Sequence, residues 1–281
     1  RVRPGFTIAS SAVEQSNAVP VSDEVLMGGV AVELVHLGSL YHDDVMDEAE
    51  MRRNVPSVNA VWGNHTAILA GDFLLARASE IAASLGTEIA GLLARTIGEL
   101  CEGQILELQS TYKPSRTEKS YEQSIAGKTA SLLSTACRIG GLTAGLERHT
   151  VDQLTTFGHT YGMAFQIVDD ILDVIATEDQ LGKPAGNDLI EGVYTLPVLL
   201  ALESDVGEQL QELLGKELST EGRDRALSLI RSTDAVEEAF ARAQFWAQKA
   251  KLELESLPSS PATNALFAAT NHLLDRAQSA S

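Results

Sequence analysis

Apolar residues recur at helical spacing along almost the whole chain, and no stretch alternates strictly between apolar and polar positions. That pattern predicts an all-α protein. In SDEVLMGGVAVELVHLGSLYHDDVMD, Ser22 stands where an N-cap belongs, with Asp23 and Glu24 in the first turn, so a long helix should start there and end near Asp47. A second helix is expected after Pro56, through NVPSVNAVWGNHTAILAGDFLLARASEIAASL, and a third from about Thr87 to Ser110, where TYKPSRT breaks the pattern. A fourth should run from Thr117 to about Gly141, and a fifth from about Glu147 to Thr177. TEDQLGKPAGNDLIEGVYTLP, Thr177 to Pro197, reads as one long Gly/Pro/Asp-rich loop; loops of that length more often carry function than accident. Shorter helices follow. No shift in composition marks a boundary, so residues 1–281 read as one domain, and the abrupt opening RVRPGF suggests that an earlier segment is missing.

Two of these helices carry acids where a buried helix should not. FQIVDDILDVI holds Asp169, Asp170 and Asp173, and LYHDDVMDEAE repeats the DDxxD spacing with Asp43, Asp44 and Asp47. An ionised carboxylate buried without a partner is expensive, and the usual escape is a proton or a counter-cation. Helix residues four apart share a face roughly 6 Å apart, so Asp43 with Asp47, and Asp169 with Asp173, should project together. Such pairs suit Mg²⁺, which takes one or two carboxylates and completes its shell with phosphate oxygens and water. Two clamps facing each other would hold several Mg²⁺ ions around one diphosphate. A solvated acidic face is the plain alternative for either motif alone. The apolar neighbours Ile167, Val168, Ile171, Leu172, Val174 and Ile175 weigh against it for the second motif.

Basic residues sit close by. Arg52 and Arg53 follow the first motif in MRRN, and the guanidinium fork suits phosphate oxygens; surface ion pairing, worth little, is the alternative. Gly127-Lys128-Thr129 resembles the tail of a P-loop, but that loop needs a glycine where Glu122 stands, and the flanks are helical. Lys128 is therefore read as a helix-borne cation and Thr129 as a neighbouring dipole.

Charge and composition narrow the partners. The net charge is −18, from 21 basic and 39 acidic residues, which disfavours nucleic acid and anionic membranes. An anionic substrate stays possible where metal ions or an Arg/Lys cluster reverse the local sign. Cys101 and Cys137 lie in apolar helical patterns and read as buried thiols of a reducing, cytoplasmic compartment. No uncharged apolar run of about eighteen residues predicts a membrane span, and no signal peptide is visible; any membrane contact would be peripheral, at product release. Trp62 and Trp246 read as packing residues. His42, beside Asp43, is a candidate to tune it, whereas His65, His149, His159 and His272 lack metal spacing.

In this order and spacing, HLGSLYHDDVMDEAEMRRN, GKTA, FQIVDDILD and GNDLIEGVYTLP resemble the trans-isoprenyl diphosphate synthases, in particular the long-chain polyprenyl members. The resemblance implies an all-helical bundle around a deep central cavity and Mg²⁺-dependent condensation of an allylic diphosphate with isopentenyl diphosphate, with three Mg²⁺ per site and a homodimeric assembly. It implies metal binding by Asp43, Asp47 and Asp169, with Asp44, Asp170 and Asp173 in or near the shell. Arg52 would contact the allylic diphosphate and Arg53 isopentenyl diphosphate. Lys128, Thr129 and Gln166 match residues of the allylic site, His36 and Arg3 residues holding isopentenyl diphosphate, and Gln104 and Glu107 supporting residues. Two departures stand out: only Arg3-Pro4 of the N-terminal Gly-Gly-Lys-x-x-Arg-Pro motif is present, and Val193 replaces the usual Lys before Thr-Leu-Pro, with Lys183 as a possible substitute.

Gly38 and Ser39 precede Asp43 by about one turn, where short-chain relatives carry a bulky aromatic floor. Their small size predicts a product longer than fifteen or twenty carbons; for Gly38, helix packing is an equal alternative. The competing functions are a short-chain farnesyl or geranylgeranyl synthase, a regulatory subunit of a heteromeric synthase, and a terpene cyclase, the last disfavoured by the second DDxxD.

Overall fold

The computed structural model describes residues 1–17, 20–52, 55–176 and 185–280. In chain order the elements are α1 (Val2–Ser11), α2 (Asp23–Met46), β1 (Met51–Arg52), β2 (Val55–Pro56), α3 (Val58–Trp62), α4 (Asn64–Ser84) and α5 (Thr87–Ser110). There follow α6 (Glu118–Ile125), a π-helical turn at Ala126–Ala130, α7 (Ser131–Thr143) and α8 (Arg148–Ile175). The remainder holds α9 (Asn187–Ile190), α10 (Leu196–Leu202), α11 (Gly207–Leu213), α12 (Thr220–Arg231), α13 (Ala235–Glu255) and α14 (Pro261–Ala280). By its contacts the chain divides into a first unit of Arg1–Glu99, Ser131–Gly158 and Glu253–Phe267, and a second of Leu100–Ala130, His159–Leu252 and Ala268–Ser281.

In the first unit α2 is the central element, packed on α4, α1 and α7. Ser22 caps it as expected, its hydroxyl accepting from the Val25 amide at 3.4 Å. Val25, Ala31, Val32 and Val35 form its buried stripe. Glycine makes the tight crossings possible: a Cβ on Gly28 would lie 2.5 Å from Ile139 Cγ2, and one on Gly140 2.1 Å from the Thr7 carbonyl. Length and composition alone would let α2 cross a bilayer; its contacts make it a core helix of this unit. The second unit is built on the C-terminal half of α8, where Ile167, Val168, Ile171 and Leu172 are buried. There a Cβ on Gly162 would meet Ala130 Cα at 2.5 Å.

Several details differ from the sequence reading. The helix expected after Pro56 is broken at Gly63, whose φ of +82° ends α3 and starts α4. The N-terminal α1 and the β1–β2 hairpin, paired Met51 to Pro56 and Arg52 to Val55, were not expected; two-residue strands are too short for periodicity to reveal. The expected fourth helix carries the π turn, and the loop before Pro197 contains α9. Trp62, read as packing, is 64 % exposed. Cys101 is exposed, while Cys137 is buried as expected and its thiol is pushed up to about 12 by burial.

Candidate active site

The first acidic motif lies at the C-terminal end of α2, in the first unit. Asp47 closes the helix, its amide donating to the Asp43 carbonyl at 2.8 Å. Glu48, at φ +49°, takes the left-handed conformation that reverses the chain, and the Ala49 amide returns to the Asp44 carbonyl at 2.9 Å. Asn59 pins this turn, Nδ2 donating to the carbonyls of Asp44 (3.1 Å) and Ala49 (3.0 Å). The hairpin then carries Arg52 back over the motif.

Here the acids separate into two kinds. Asp43 is half-buried and Asp47 exposed. Asp44 is 2 % exposed, and its Oδ1 accepts from Arg52 Nε at 2.7 Å and Nη2 at 2.5 Å. Asp44, expected among the metal ligands, is thus taken up in holding Arg52, because position 44 lies on the buried side of α2. Arg53 lies outside the described residues. His36 precedes Asp43 by two turns on the same stripe of α2, and Arg3 sits in the first turn of α1, a neighbour of α2. His42 reaches towards α4. Its Nε2 approaches the Ile68 carbonyl (3.1 Å) and Asp72 (3.4 Å) on α4, in space kept open by Gly71, where a Cβ would fall 2.3 Å from Nε2.

Gly38 is buried against α4: a Cβ there would meet the Gly71 carbonyl at 3.0 Å and Leu75 Cγ at 3.1 Å. Gly38 thus sits at a close helix crossing. Ser39 is half-buried, its hydroxyl donating to the His36 carbonyl at 2.9 Å.

The second motif lies on α8, in the second unit. Asp169 is exposed. Asp170 is 3 % exposed, with Oδ2 accepting from the Tyr121 hydroxyl at 2.5 Å and Oδ1 from Gln166 Nε2 at 2.8 Å. Burial pushes its carboxyl up to about 7; those two hydrogen bonds pull the other way, and the charges of Asp169 and Glu107 add to the rise. Asp173 is buried, and its Oδ2 accepts from the Asp188 amide at 3.2 Å. Its carbonyl accepts from the Gly186 amide at 2.8 Å. The Asp169–Asp173 pair predicted from spacing is therefore split between solvent and a backbone anchor.

Lys128 and Thr129 stand on the π turn, a local widening of the helix often found at functional sites. Lys128 Nζ pairs with Glu107 on α5 at 2.5 Å. Thr129 donates its hydroxyl proton to Gln166 Oε1 at 2.6 Å, so Thr129, Gln166, Asp170 and Tyr121 form one continuous hydrogen-bond chain. Gln104 is buried, with an Oε1 that has no hydrogen-bond partner. Val193 is tied down by its amide, which donates to the Asp188 carbonyl at 2.8 Å. Lys183 lies outside the described residues. Among the described residues no three His, Cys, Asp or Glu side chains are drawn into a ready-made metal cage.

Comparison with known proteins gives the family. The family model for polyprenyl synthetase matches residues 1–229. The chain belongs to the polyprenyl synthetase family. It is 39 % identical over 279 residues to a nonaprenyl diphosphate synthase of Mycobacterium tuberculosis, covering 98 % of this chain and 82 % of that one. It is also 39 % identical over 267 residues to component 2 of a heptaprenyl diphosphate synthase of Geobacillus stearothermophilus, covering 95 % and 82 %. A crystal structure of a polyprenyl synthase from Caulobacter crescentus CB15, complexed with calcium and isoprenyl diphosphate, superposes with a TM-score of 0.90 at 31 % identity, covering 98 % of this chain and 84 % of that one. The fold is thus the all-α isoprenoid synthase fold, and the chain is a prenyl-transferring enzyme.

Around each motif of this polyprenyl synthetase the structure also holds polar residues that the sequence reading missed. Tyr121 and Arg116 surround Asp170, and Asn59 and Ser57 hold the Arg52 turn. Tyr121 could have been noticed as a polar-tipped residue two turns before Lys128. Arg116, in the aperiodic PSRT segment, gave no signal.

Proposed function

We propose that this enzyme condenses an allylic diphosphate with isopentenyl diphosphate to give an all-trans polyprenyl diphosphate longer than twenty carbons. The observation that carries the reading is the sorting of the acids by burial: Asp43 is half-buried and Asp47 and Asp169 face solvent, while Asp44, Asp170 and Asp173 are buried and hold their surroundings. The open acids are hard oxygen donors of the kind Mg²⁺ takes, so they fit that ion and would hold it, three ions being the family expectation. Bound Mg²⁺ supplies positive charge against the departing diphosphate.

The side chains do the rest. Arg52, presented by the hairpin and fixed by Asp44, binds the allylic diphosphate, as does Lys128 once it exchanges Glu107 for phosphate. Lys183, from the sequence reading, joins them, and Arg53, Arg3 and His36 bind isopentenyl diphosphate. Ionisation of the carbon–oxygen bond leaves an allylic cation that needs dipoles and no strong nucleophile. Thr129 gives its proton to Gln166 and so keeps hydroxyl lone pairs for that cation. Apolar surroundings exclude the water that would quench it. The final proton leaves with diphosphate, so no side chain serves as general base.

Residues 1–281 act as one catalytic domain, located in the cytoplasm, and the enzyme works as a homodimer. Leu69 and Phe73, 68 % and 63 % exposed on α4, support a partner on that face. A second reading, a subunit of a two-component synthase, is favoured by the name of the Geobacillus relative. One experiment separates them: the purified chain with Mg²⁺, farnesyl diphosphate and radiolabelled isopentenyl diphosphate, products resolved by length. The proposal expects products beyond twenty carbons from the chain alone. Arrest at twenty carbons sinks the length, and inactivity relieved by a second component supports the other reading.

A further inference from the structure

Arg116 belongs to none of the motifs above, yet it is 8 % exposed. A guanidinium taken from water needs compensation, and its surroundings show where that comes from. Nη1 donates to the Tyr194 carbonyl at 3.0 Å. The guanidinium carbon lies 5.5 Å from the centroid of the Tyr121 ring, within cation–π range. Tyr121, itself 1 % exposed, spends its hydroxyl proton on Asp170. The charges of Glu107 and Asp170 favour the cation against its desolvation. Compensation is nonetheless incomplete, since Nε and Nη2 are buried without a hydrogen-bond acceptor. A buried group left in that state is costly, and so calls for a reason other than stability.

Resting on the function proposed above, we propose that Arg116 is a positioning residue for prenyl transfer. Through the Tyr121 ring it holds the hydroxyl that anchors Asp170, and through the Tyr194 carbonyl it ties the Gly192–Thr195 segment to the same point. The network it completes runs on through Gln166 to Thr129, so a slack Arg116 loosens the dipoles facing the allylic site. Stability and function are therefore read separately. Methionine at this position removes the unsatisfied Nε and Nη2 groups, but also the donor to the Tyr194 carbonyl and the cation facing Asp170 and Glu107, so Tm should fall by a few degrees.

The test compares wild type with Arg116→Met, Arg116→Lys, Tyr121→Phe and the Arg116→Met/Tyr121→Phe pair. It measures Tm, kcat, KM for both substrates, and calorimetric binding of inorganic pyrophosphate with Mg²⁺. Arg116→Met should stay folded at the assay temperature while kcat falls at least tenfold, and Arg116→Lys should recover part of the loss. The double variant should fall within about twofold of the worse single variant, because both act through one contact. Arg116→Met with kcat and KM within twofold of wild type overturns the proposal, as do single effects that multiply. Should Arg116→Met not fold, Tyr121→Phe decides by calorimetry: several-fold weaker binding supports the role, and unchanged binding overturns it. Absence of activity in wild type, by contrast, would count against the function and not against Arg116.

Discussion

Gly103→Ala is the smallest change that should reach the chemistry through packing alone. Gly103, in α5, lies against the π turn: a Cβ there would fall 2.5 Å from the Lys128 amide nitrogen, 2.8 Å from the Ser124 carbonyl oxygen and 2.9 Å from the Gly127 carbonyl carbon. All three are backbone atoms, so no rotamer change relieves the clash. The same contact is tied by the Ser124 hydroxyl, which donates to the Gly103 carbonyl at 3.0 Å. Ordinary van der Waals separation begins at 3.4 Å, so α5 and the turn must part by about 1 Å. Overpacking of this kind costs about 1–3 kcal/mol, which for a chain of this size lowers Tm by roughly 2–10 °C. A catalytic group displaced by about 1 Å forfeits on the order of 10²-fold in rate, and Lys128 rides on the turn that moves. Gly98→Ala in the same helix is the control, since nothing lies within 4 Å of its added methyl; there the loss of a helical glycine should stabilise by about 0.5–1 kcal/mol. Differential scanning fluorimetry and steady-state incorporation of labelled isopentenyl diphosphate read both quantities. Gly103→Ala with Tm and kcat indistinguishable from wild type would refute the reasoning.

Two further outcomes are expected. Ser39→Phe should shorten the product by at least one five-carbon unit with less than about 1.5 kcal/mol lost in stability, because Ser39 is half-buried and makes only a local bond; unchanged length on chromatography of the dephosphorylated products removes Ser39 from length control. If the proposed homodimer uses the α4 face, Phe73→Glu should lower the sedimenting mass to that of a monomer at micromolar concentration without altering helix content; an unchanged mass would remove Phe73 from any subunit contact.

The helical skeleton was legible because its signals are local. Ser22 and Thr117 announce helix starts with their side-chain caps, and α5 occupies the predicted Thr87–Ser110 span. Spacing also located both acidic motifs. It did not reveal which acid on each motif is buried, because Asp43 and Asp44 differ by one helical step and their burial depends on what packs against α2. The split between Asp169 and Asp173 has the same cause, the backbone of Asp188 folding back from 15 residues further along the chain. Tertiary contacts likewise bear on Gly38: in sequence its small size fits an open path for a growing chain and a helix crossing equally, and only the fold shows the Gly71 carbonyl 3.0 Å from where its Cβ would lie. Short-range breaks such as Gly63 and Glu48 depend on single φ values, which hydrophobic periodicity does not encode.

The central claim is that the open acids hold the cation and diphosphate while their buried neighbours hold the scaffold. Calorimetric titration of inorganic pyrophosphate with Mg²⁺ into wild type, Asp43→Asn, Asp169→Asn and Asp173→Asn tests it most directly, with Tm measured on the same samples. Asp43→Asn and Asp169→Asn should weaken binding by tenfold or more at unchanged Tm, and Asp173→Asn should lower Tm by several degrees. Full affinity retained in both Asp43→Asn and Asp169→Asn would contradict the account.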